Sequence, residues 1–270
     1  MTALTPLMGL VPSCNETDLV VFVGCDTAYL IEHAIPLAYS VDRNSPGNRV
    51  HLHIINPGVD VERTLSVLAR DLADTVLTWT TEETPLPAED AGQVTEETRP
   101  GAQMGAKTYY ACIRFARAYQ VMDAAPARYL ILDADCIVRK PLPLPETDLG
   151  LFLRPEMPDH MKVAAGVVYI GTQNGRNVLA AVSASITDGL RQGYGWFLDQ
   201  IAFAMAVNAL PKFPGPPTLH DFGPGFMDWE FTDNSVIWTG KGPRKHENQR
   251  YIDEVAKYRL LDESVKSFWT

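Results

Sequence analysis

Arg128-Tyr129-Leu130-Ile131-Leu132-Asp133-Ala134-Asp135-Cys136-Ile137-Val138 is the stretch on which the fold turns. Tyr129 to Leu132 lead directly into Asp133-Ala134-Asp135, and Cys136-Ile137-Val138 resumes the apolar run. A continuous, branched apolar run of this length predicts a buried strand. Carboxylates set into such a run must be paired or must hold a cation, because an isolated buried charge is very costly. If the strand runs through, Asp133 and Asp135 point to one side. A cation between them would relieve their repulsion, making a site for Mn²⁺ or Mg²⁺ that also holds a diphosphate. If the strand stops at Leu132, Asp133 caps a turn instead. The stretch alone leaves both readings open.

N-terminal to it, the apolar segments alternate in type. Asp18 to Gly24 reads as a strand, Ala28 to Val41 as a helix with Asp26 or Thr27 as its cap, and Val50 to Ile55 as a second strand. Val61 to Leu72 reads as a helix and Thr75 to Trp79 as a third strand. Strand–helix–strand repetition predicts a mainly parallel sheet flanked by helices, whose ligands bind at the carboxyl ends of the strands. Asp26 sits at one such end, and Asp133 sits at another if its strand stops at Leu132. Thr81 to Gly105 is polar and long for a loop, and is expected to be either a flap over the site or a surface excursion. Lys107 to Met122 reads as a helix carrying Arg114. Further on, Leu149 to Phe152 and Ala164 to Ile170 read as strands, and Val178–Leu190 and Phe197–Leu210 as helices. Pro211 to Pro224 reads as irregular, Ser235–Trp238 as a short strand, and Asn248–Leu261 as a closing helix. The opening of Ala164-Ala165-Gly166 lets a backbone approach something closely.

A chain of 270 residues with 46% hydrophobic and 21% charged residues can bury a sizeable core. Its formal net charge of −10 lacks the electrostatic footprint of a general nucleic-acid binder, but leaves room for a local basic pocket. Lys241, Arg244 and Lys245 form such a cluster, and Gly240 and Gly242 among them let backbone N–H groups approach phosphate. The four cysteines have no C-x-x-C spacing and are expected to be reduced core residues. No signal peptide or membrane span is expected, which places the chain in a cytoplasm, its own or a host's.

Taken in order, these landmarks resemble the retaining glycosyltransferases of the GT-A fold, most closely glycosyltransferase family 8. The resemblance covers about Leu19 to Lys245 and rests on Val21–Asp26 with Tyr29, Lys107–Phe115, Tyr129–Asp135, Ala164–Gly166, Asp199-Gln200 and Thr239–Lys245. It implies a Rossmann-like GT-A nucleotide-binding fold with a mixed, mainly parallel sheet. Residues 1–270 would form a single domain, with a nucleotide-binding half over about 18–138. A sugar- and acceptor-binding half over about 139–270 would carry the C-terminal diphosphate loop.

The resemblance further implies transfer of a hexose or related sugar from a nucleotide donor, a UDP-sugar, to an acceptor hydroxyl, with retention and with Mn²⁺ or Mg²⁺. Asp26 and Tyr29 would meet the base, and Ala134 the ribose. Arg114 would pair with the Asp133 and Asp135 carboxylates or with a donor phosphate. Gly240, Lys241 and Lys245 would meet the diphosphate, and Asp199 and Gln200 the sugar. Asp199, Gln200 and Lys241 are the expected catalytic residues. Asp133 and Asp135 are the expected metal ligands. The family's third ligand, a His three before the glycine, is replaced by Ile237. His246, or failing it His220, is then the candidate, with water and the diphosphate as another way to complete the shell. Two competing readings are a sugar-nucleotide-binding scaffold without activity and a sugar nucleotidyltransferase. The second lacks the expected basic, Gly-rich loop, since Gly24 to Ala28 holds no Lys or Arg. The acceptor (saccharide, protein, small molecule or modified base) and homo-oligomerisation are left open.

Overall fold

The computed structural model describes residues 4–86, 105–171 and 173–259. Its strands are β1 (Met8–Gly9), β2 (Leu19–Asp26), β3 (Arg49–Ile55), β4 (Val76–Glu82), β5 (Arg128–Leu132) and β6 (Cys136–Val138), followed by β7 (Leu149–Leu153), β8 (Val163–Ile170), β9 (Leu219–Asp221), β10 (Met227–Asp228) and β11 (Ile237–Thr239). The main sheet runs β1-β4-β3-β2-β5-β8-β7-β9, and a second sheet runs β10-β11-β6. Strands β4, β3, β2 and β5 are parallel. Strand β8 is antiparallel to both β5 and β7, and β9 returns parallel to β7. The chain builds outward from β2 through β3 to β4, then crosses back to lay β5 on the other side of β2. The strand order therefore reverses between β2 and β5, and a crevice opens at their carboxyl ends.

Period-two alternation divides the core between the two faces of the sheet. Val21, Val23 and Cys25 of β2, with Leu130 and Leu132 of β5, face α2 (Ile35–Asn44), α3 (Val61–Asp71), the small sheet and α9 (Gln249–Ala256). Val20, Phe22, Tyr129 and Ile131 face α4 (Ala106–Ala124), α5 (Gln173–Arg191) and α6 (Leu198–Ala209). Both faces of β2 and β5 are covered, which is why these strands read as unbroken apolar runs.

Several expectations need adjusting. The central stretch is not one strand. Strand β5 stops at Leu132, and Asp133 to Cys136 form a turn closed by the Cys136 N–H donating to the Asp133 carbonyl at 3.1 Å. Strand β6 then joins the second sheet. The helix expected over Ala28–Val41 is broken into α1 (Thr27–Tyr29), a π-helical turn over Leu30–Ala34, and α2. Pro36 has no N–H to continue the ordinary ladder, and the widened turn is closed by Ile35 N–H to Leu30 carbonyl. Strand β4 reaches Glu82, beyond the expected Trp79, because the Glu82 side chain has partners that make its burial tolerable. Thr81 and Glu82 therefore belong to the sheet, and 87–104 of the expected flap lie outside the described residues. Strand β9 and the start of the short helix α7 (Gly223–Phe226) fall in Pro211–Pro224, which was expected to be irregular. The three residues of β9 gain order from pairing with β7. The closing helix spans Gln249–Ala256, and the last two residues of its expected range lie outside the described residues. All four cysteines are unpaired, and three are buried. Among the described residues, no helix is long and apolar enough to cross a membrane.

Candidate active site

The crevice is built from the ends of β2, β5 and β11 and from the starts of α1 and α6. At the end of β2, Asp26 is the N-cap of α1, and its Oδ1 accepts the Tyr29 N–H at 2.8 Å. This satisfies one orphan donor of the helix start and leaves the carboxylate at the rim of the crevice.

Beyond β5, the Asp133–Asp135 turn sends its two carboxylates to different partners. Asp133 Oδ1 pairs with Arg114 Nη1 at 2.8 Å. Arg114 Nη2 donates to the Ala165 carbonyl at 2.9 Å and lies 3.5 Å from Asp199 Oδ2. Arg114 reaches the turn because α4 crosses β2 at Gly24, where a Cβ would sit 2.8 Å from Arg114 Cβ. Asp133 Oδ2 packs on Gly166, where a Cβ would come within 2.7 Å of it. This is the close approach that Ala164-Ala165-Gly166 announced. The Arg114 side chain is 7% exposed and bridges two carboxylates, as a buried guanidinium must to offset its desolvation.

Asp135 faces the C-terminal loop. Its Oδ2 accepts from Lys245 Nζ at 2.9 Å, and its Oδ1 from Thr239 Oγ1 at 3.4 Å. Its carbonyl accepts from the Gly240 N–H at 2.8 Å and from Tyr251 Oη at 2.7 Å. Lys245 Nζ also donates to Tyr29 Oη at 2.9 Å and lies 4.8 Å from the centre of that ring. Burial opposes the ammonium charge, but Asp135 and the Tyr29 hydroxyl outweigh it and hold the Lys245 pKa above its ordinary range. Gly240 makes this possible sterically, since a Cβ there would meet Lys245 Cβ at 2.6 Å and the Tyr251 ring at 2.8 Å. The role of Gly240 in the structure is thus to seat Lys245, where the sequence had suggested a backbone approach to phosphate. Lys241 lies 4.7 Å from the Trp229 ring and within electrostatic reach of Asp133. Arg244 starts the short helix α8 (Arg244–Glu247) and faces Glu230 at 3.5 Å.

On the third side, Asp199 is buried in the first turn of α6. Its Oδ1 accepts the Gln200 N–H at 2.8 Å. Burial raises its pKa, and Arg114 opposes the rise. Gln200 Oε1 accepts from Arg154 Nη2 at 3.1 Å. Arg154 follows β7 and lies 5.8 Å from the Trp229 ring, so Trp229 is flanked by Arg154 and Lys241.

The structure therefore brings together Asp133, Ala134, Asp135, Arg114, Asp199, Gln200, Lys241, Lys245, Gly240, Tyr29 and Asp26. The two histidines expected as a third ligand have other neighbours. His246 Nδ1 is 3.7 Å from Glu32 Oε1, and its ring is 6.4 Å from His33. His220 lies on β9, the outermost strand, against Phe222. Ile237 is fully buried hydrocarbon on β11. Asp133 and Asp135 each have a side-chain cation as partner. Among the described residues, no group of three His, Cys, Asp or Glu is arranged to hold a metal ion. As this donor set stands, it does not fit a divalent ion.

Three site residues were not legible in the sequence. Arg154 and Trp229 are isolated in the chain, and only the fold places them beside Lys241. His33 sits in the π-helical turn with both ring nitrogens buried and without a hydrogen-bond partner, 5.0 Å from the Tyr29 ring. Burial lowers its pKa and so favours the neutral ring. The signal that could have found it was Pro36, which forces a local widening of the helix, a feature often met at functional sites.

No protein-family model matches this chain, and no curated protein matches its sequence. Solved structures do match its fold. The apo bifunctional glycosyltransferase WbbM aligns with a TM-score of 0.61 at 12% identity, over 96% of this chain and 52% of that one. The glycosyltransferase GlyE of Streptococcus pneumoniae TIGR4 aligns with a TM-score of 0.51 at 18% identity, over 93% and 62%. The galactosyltransferase LgtC, in complex with donor and acceptor sugar analogs, aligns with a TM-score of 0.55 at 15% identity, over 92% and 99%. The fold is the GT-A fold of glycosyltransferases. This chain spans about half the length of WbbM and about three-fifths of GlyE, but nearly the whole of LgtC. At these identities the likeness is one of fold, and it supports neither family 8 in particular nor a given substrate.

Proposed function

We propose that this chain is a glycosyltransferase that moves a hexose or related sugar from a UDP-sugar to an acceptor hydroxyl with retention. The observation that carries the reading is the convergence of Arg114, Lys241 and Lys245 on the Asp133–Asp135 turn, at the reversal point of a GT-A sheet. Cleavage of a sugar nucleotide leaves negative charge on the departing diphosphate, and fixed cations in a partly dry crevice stabilise that charge as it develops. Lys241 and Lys245 meet the diphosphate, while Arg114 holds Asp133 and Asp199 in place. Asp26 has a second oxygen to accept the uracil N3–H while its first caps α1. Tyr29 stacks on the base, and Ala134 brings its backbone to the ribose. Asp199 and Gln200 position the sugar.

In the reaction, the bond from the sugar's anomeric carbon to the diphosphate oxygen breaks, and its electron pair leaves with the diphosphate. The acceptor oxygen bonds to the anomeric carbon on the same face, and its proton passes to the departing phosphate oxygen. The products are the glycoside and UDP. LgtC, with its donor and acceptor analogs, supports this as a fold-level analogy.

The test is a thermal-shift panel of sugar nucleotides, UDP-sugars among them, followed by assay of UDP release. One UDP-sugar should stabilise the protein selectively by mass action and be turned over. Asp199→Asn should lower kcat about 100-fold, with KM changed only a few-fold. Absence of stabilisation by every sugar nucleotide overturns the reading. Binding without UDP release would leave the non-catalytic scaffold.

A further inference from the structure

The Asp133–Asp135 turn is already neutralised from within the chain, and its surroundings are built to keep it so. Lys245 Nζ bonds to Asp135 Oδ2 and Tyr29 Oη, both at 2.9 Å, and the side chains of Lys245 and Asp135 are each 11% exposed. The loop that delivers Lys245 is tied down at several points. Thr239 pairs with Cys136 across the second sheet. The Gly240 N–H and Tyr251 Oη both donate to the Asp135 carbonyl. Asn248 caps α9, which carries Tyr251, by accepting from the Arg250 N–H at 3.0 Å. Gly240 has no Cβ where a Cβ would collide with Lys245.

We propose that the Lys245 ammonium takes the place of a divalent cation at Asp135, so that this chain binds its nucleoside diphosphate donor without a metal ion. The inference rests on the reading of the crevice as a nucleotide-sugar site. An ammonium has three N–H donors. Asp135 and Tyr29 take two, and the third meets a donor phosphate oxygen. One ammonium carries half the charge of Mn²⁺, and Lys241, within electrostatic reach of Asp133, makes up the difference. Asp133 needs no ion because Arg114 holds it. Asp135 thus orients a lysine, where a metal site would have it coordinate an ion.

Calorimetry on the full chain tests this with two probes, Mn²⁺ alone and UDP in either EDTA or Mn²⁺. The wild-type protein should take up no Mn²⁺ at this turn, and should bind UDP with the same Kd in EDTA as in Mn²⁺. Lys245→Met keeps the hydrocarbon stem and removes the charge, and it should weaken UDP binding in EDTA about tenfold or more. Stoichiometric Mn²⁺ uptake by the wild-type protein, abolished by Asp135→Asn, overturns the proposal, as does UDP binding that requires Mn²⁺. Either result leaves the donor-site reading standing. Failure to bind UDP under all conditions sinks the donor-site reading and this inference together. The wild-type measurements test metal independence even if Lys245→Met does not fold, and unchanged UDP affinity in a folded Lys245→Met overturns the role given to Lys245.

Discussion

Asp133 is held on two sides, although its side chain is 35% exposed. Arg114 grips one oxygen at 2.8 Å, and the other lies where a methyl on Gly166 would be 2.7 Å away. Gly166→Ala must therefore push the carboxylate off its seat or shift β8. The carboxylate is the far end of a partly exposed side chain and can swing aside, so the cost is chiefly the strained charge-assisted hydrogen bond to Arg114, about 1 kcal/mol or a little more. We expect Gly166→Ala to lower the urea midpoint modestly and to weaken UDP binding about tenfold. Wild-type UDP affinity in this variant would show that Asp133 does not need its present position. At this scale the sequence was informative about residue identity and only partly about pairing: it offered Arg114 to either carboxylate or to a phosphate, and gave Lys245 no protein partner. Asp133, Asp135, Arg114 and Lys245 were all visible as candidates. That Arg114 belongs to Asp133 and Lys245 to Asp135 depends on where α4 crosses β2 and how the loop folds back, and neither is encoded locally. Arg154 and Trp229 were invisible for the same reason.

Between β3, β4 and α4 lies a second polar cluster that the sequence showed only as His51 and His53 alternating in a strand. His51 Nδ1 and Nε2 lie 2.9 and 3.0 Å from the hydroxyls of Thr78 and Thr80, and His53 Nδ1 lies 3.0 Å from that of Thr80. His53 Nε2 is 3.5 Å from Glu82, which also accepts from Tyr109 at 3.1 Å and pairs with Arg117. Glu82 and Arg117 are fully buried. A strand ending in a charge read as a strand that had already ended, because the partner that permits burial is 35 residues away. Breaking a buried pair strands the remaining charge. Arg117→Met should destabilise the protein by about 3–5 kcal/mol, while the double variant Arg117→Met, Glu82→Leu should recover part of that loss. A urea double-mutant cycle with purely additive losses would contradict this. The histidines add a pH dependence. Burial lowers the His51 pKa to about 3 and lowers that of His53 as well. As pH falls from about 6.5, the unfolded chain takes protons that folded His51 refuses until about pH 3, so stability falls, by up to about 1.4 kcal/mol per pH unit for each such group. Glu82 acts in the same direction. Burial raises its pKa, but His53 and Arg117 outweigh burial and hold it below its ordinary value. Urea midpoints measured from pH 7 down to pH 4.5 should fall steadily, and His51→Gln should flatten the slope. An unchanged slope in that variant would exclude His51 as its source.

Over the whole molecule, the site's charge balance differs from the chain's. The formal net charge is −10, from 33 acidic and 23 basic residues, yet the crevice sets Arg114, Arg154, Lys241 and Lys245 against the carboxylates of Asp26, Asp133, Asp135 and Asp199 and is locally balanced. An anionic donor thus approaches a protein that repels it at long range and binds in a pocket that attracts it at short range. Screening separates the two effects, because salt weakens interactions beyond a Debye length of about 10 Å at 0.1 M more than those between partly buried partners. Raising the salt concentration should therefore leave the association rate for a fluorescent UDP analogue unchanged or raise it about two-fold, as the long-range repulsion is screened. The dissociation rate should rise over the same range as the contacts to Lys241 and Lys245 weaken. Lys241→Ala should raise dissociation further and leave the salt dependence of association almost unaltered. Stopped-flow traces at several salt concentrations measure both rates. An association rate that falls steeply with salt would mean that a basic field extends well beyond the crevice, and that the donor is steered from a distance instead of being captured on contact.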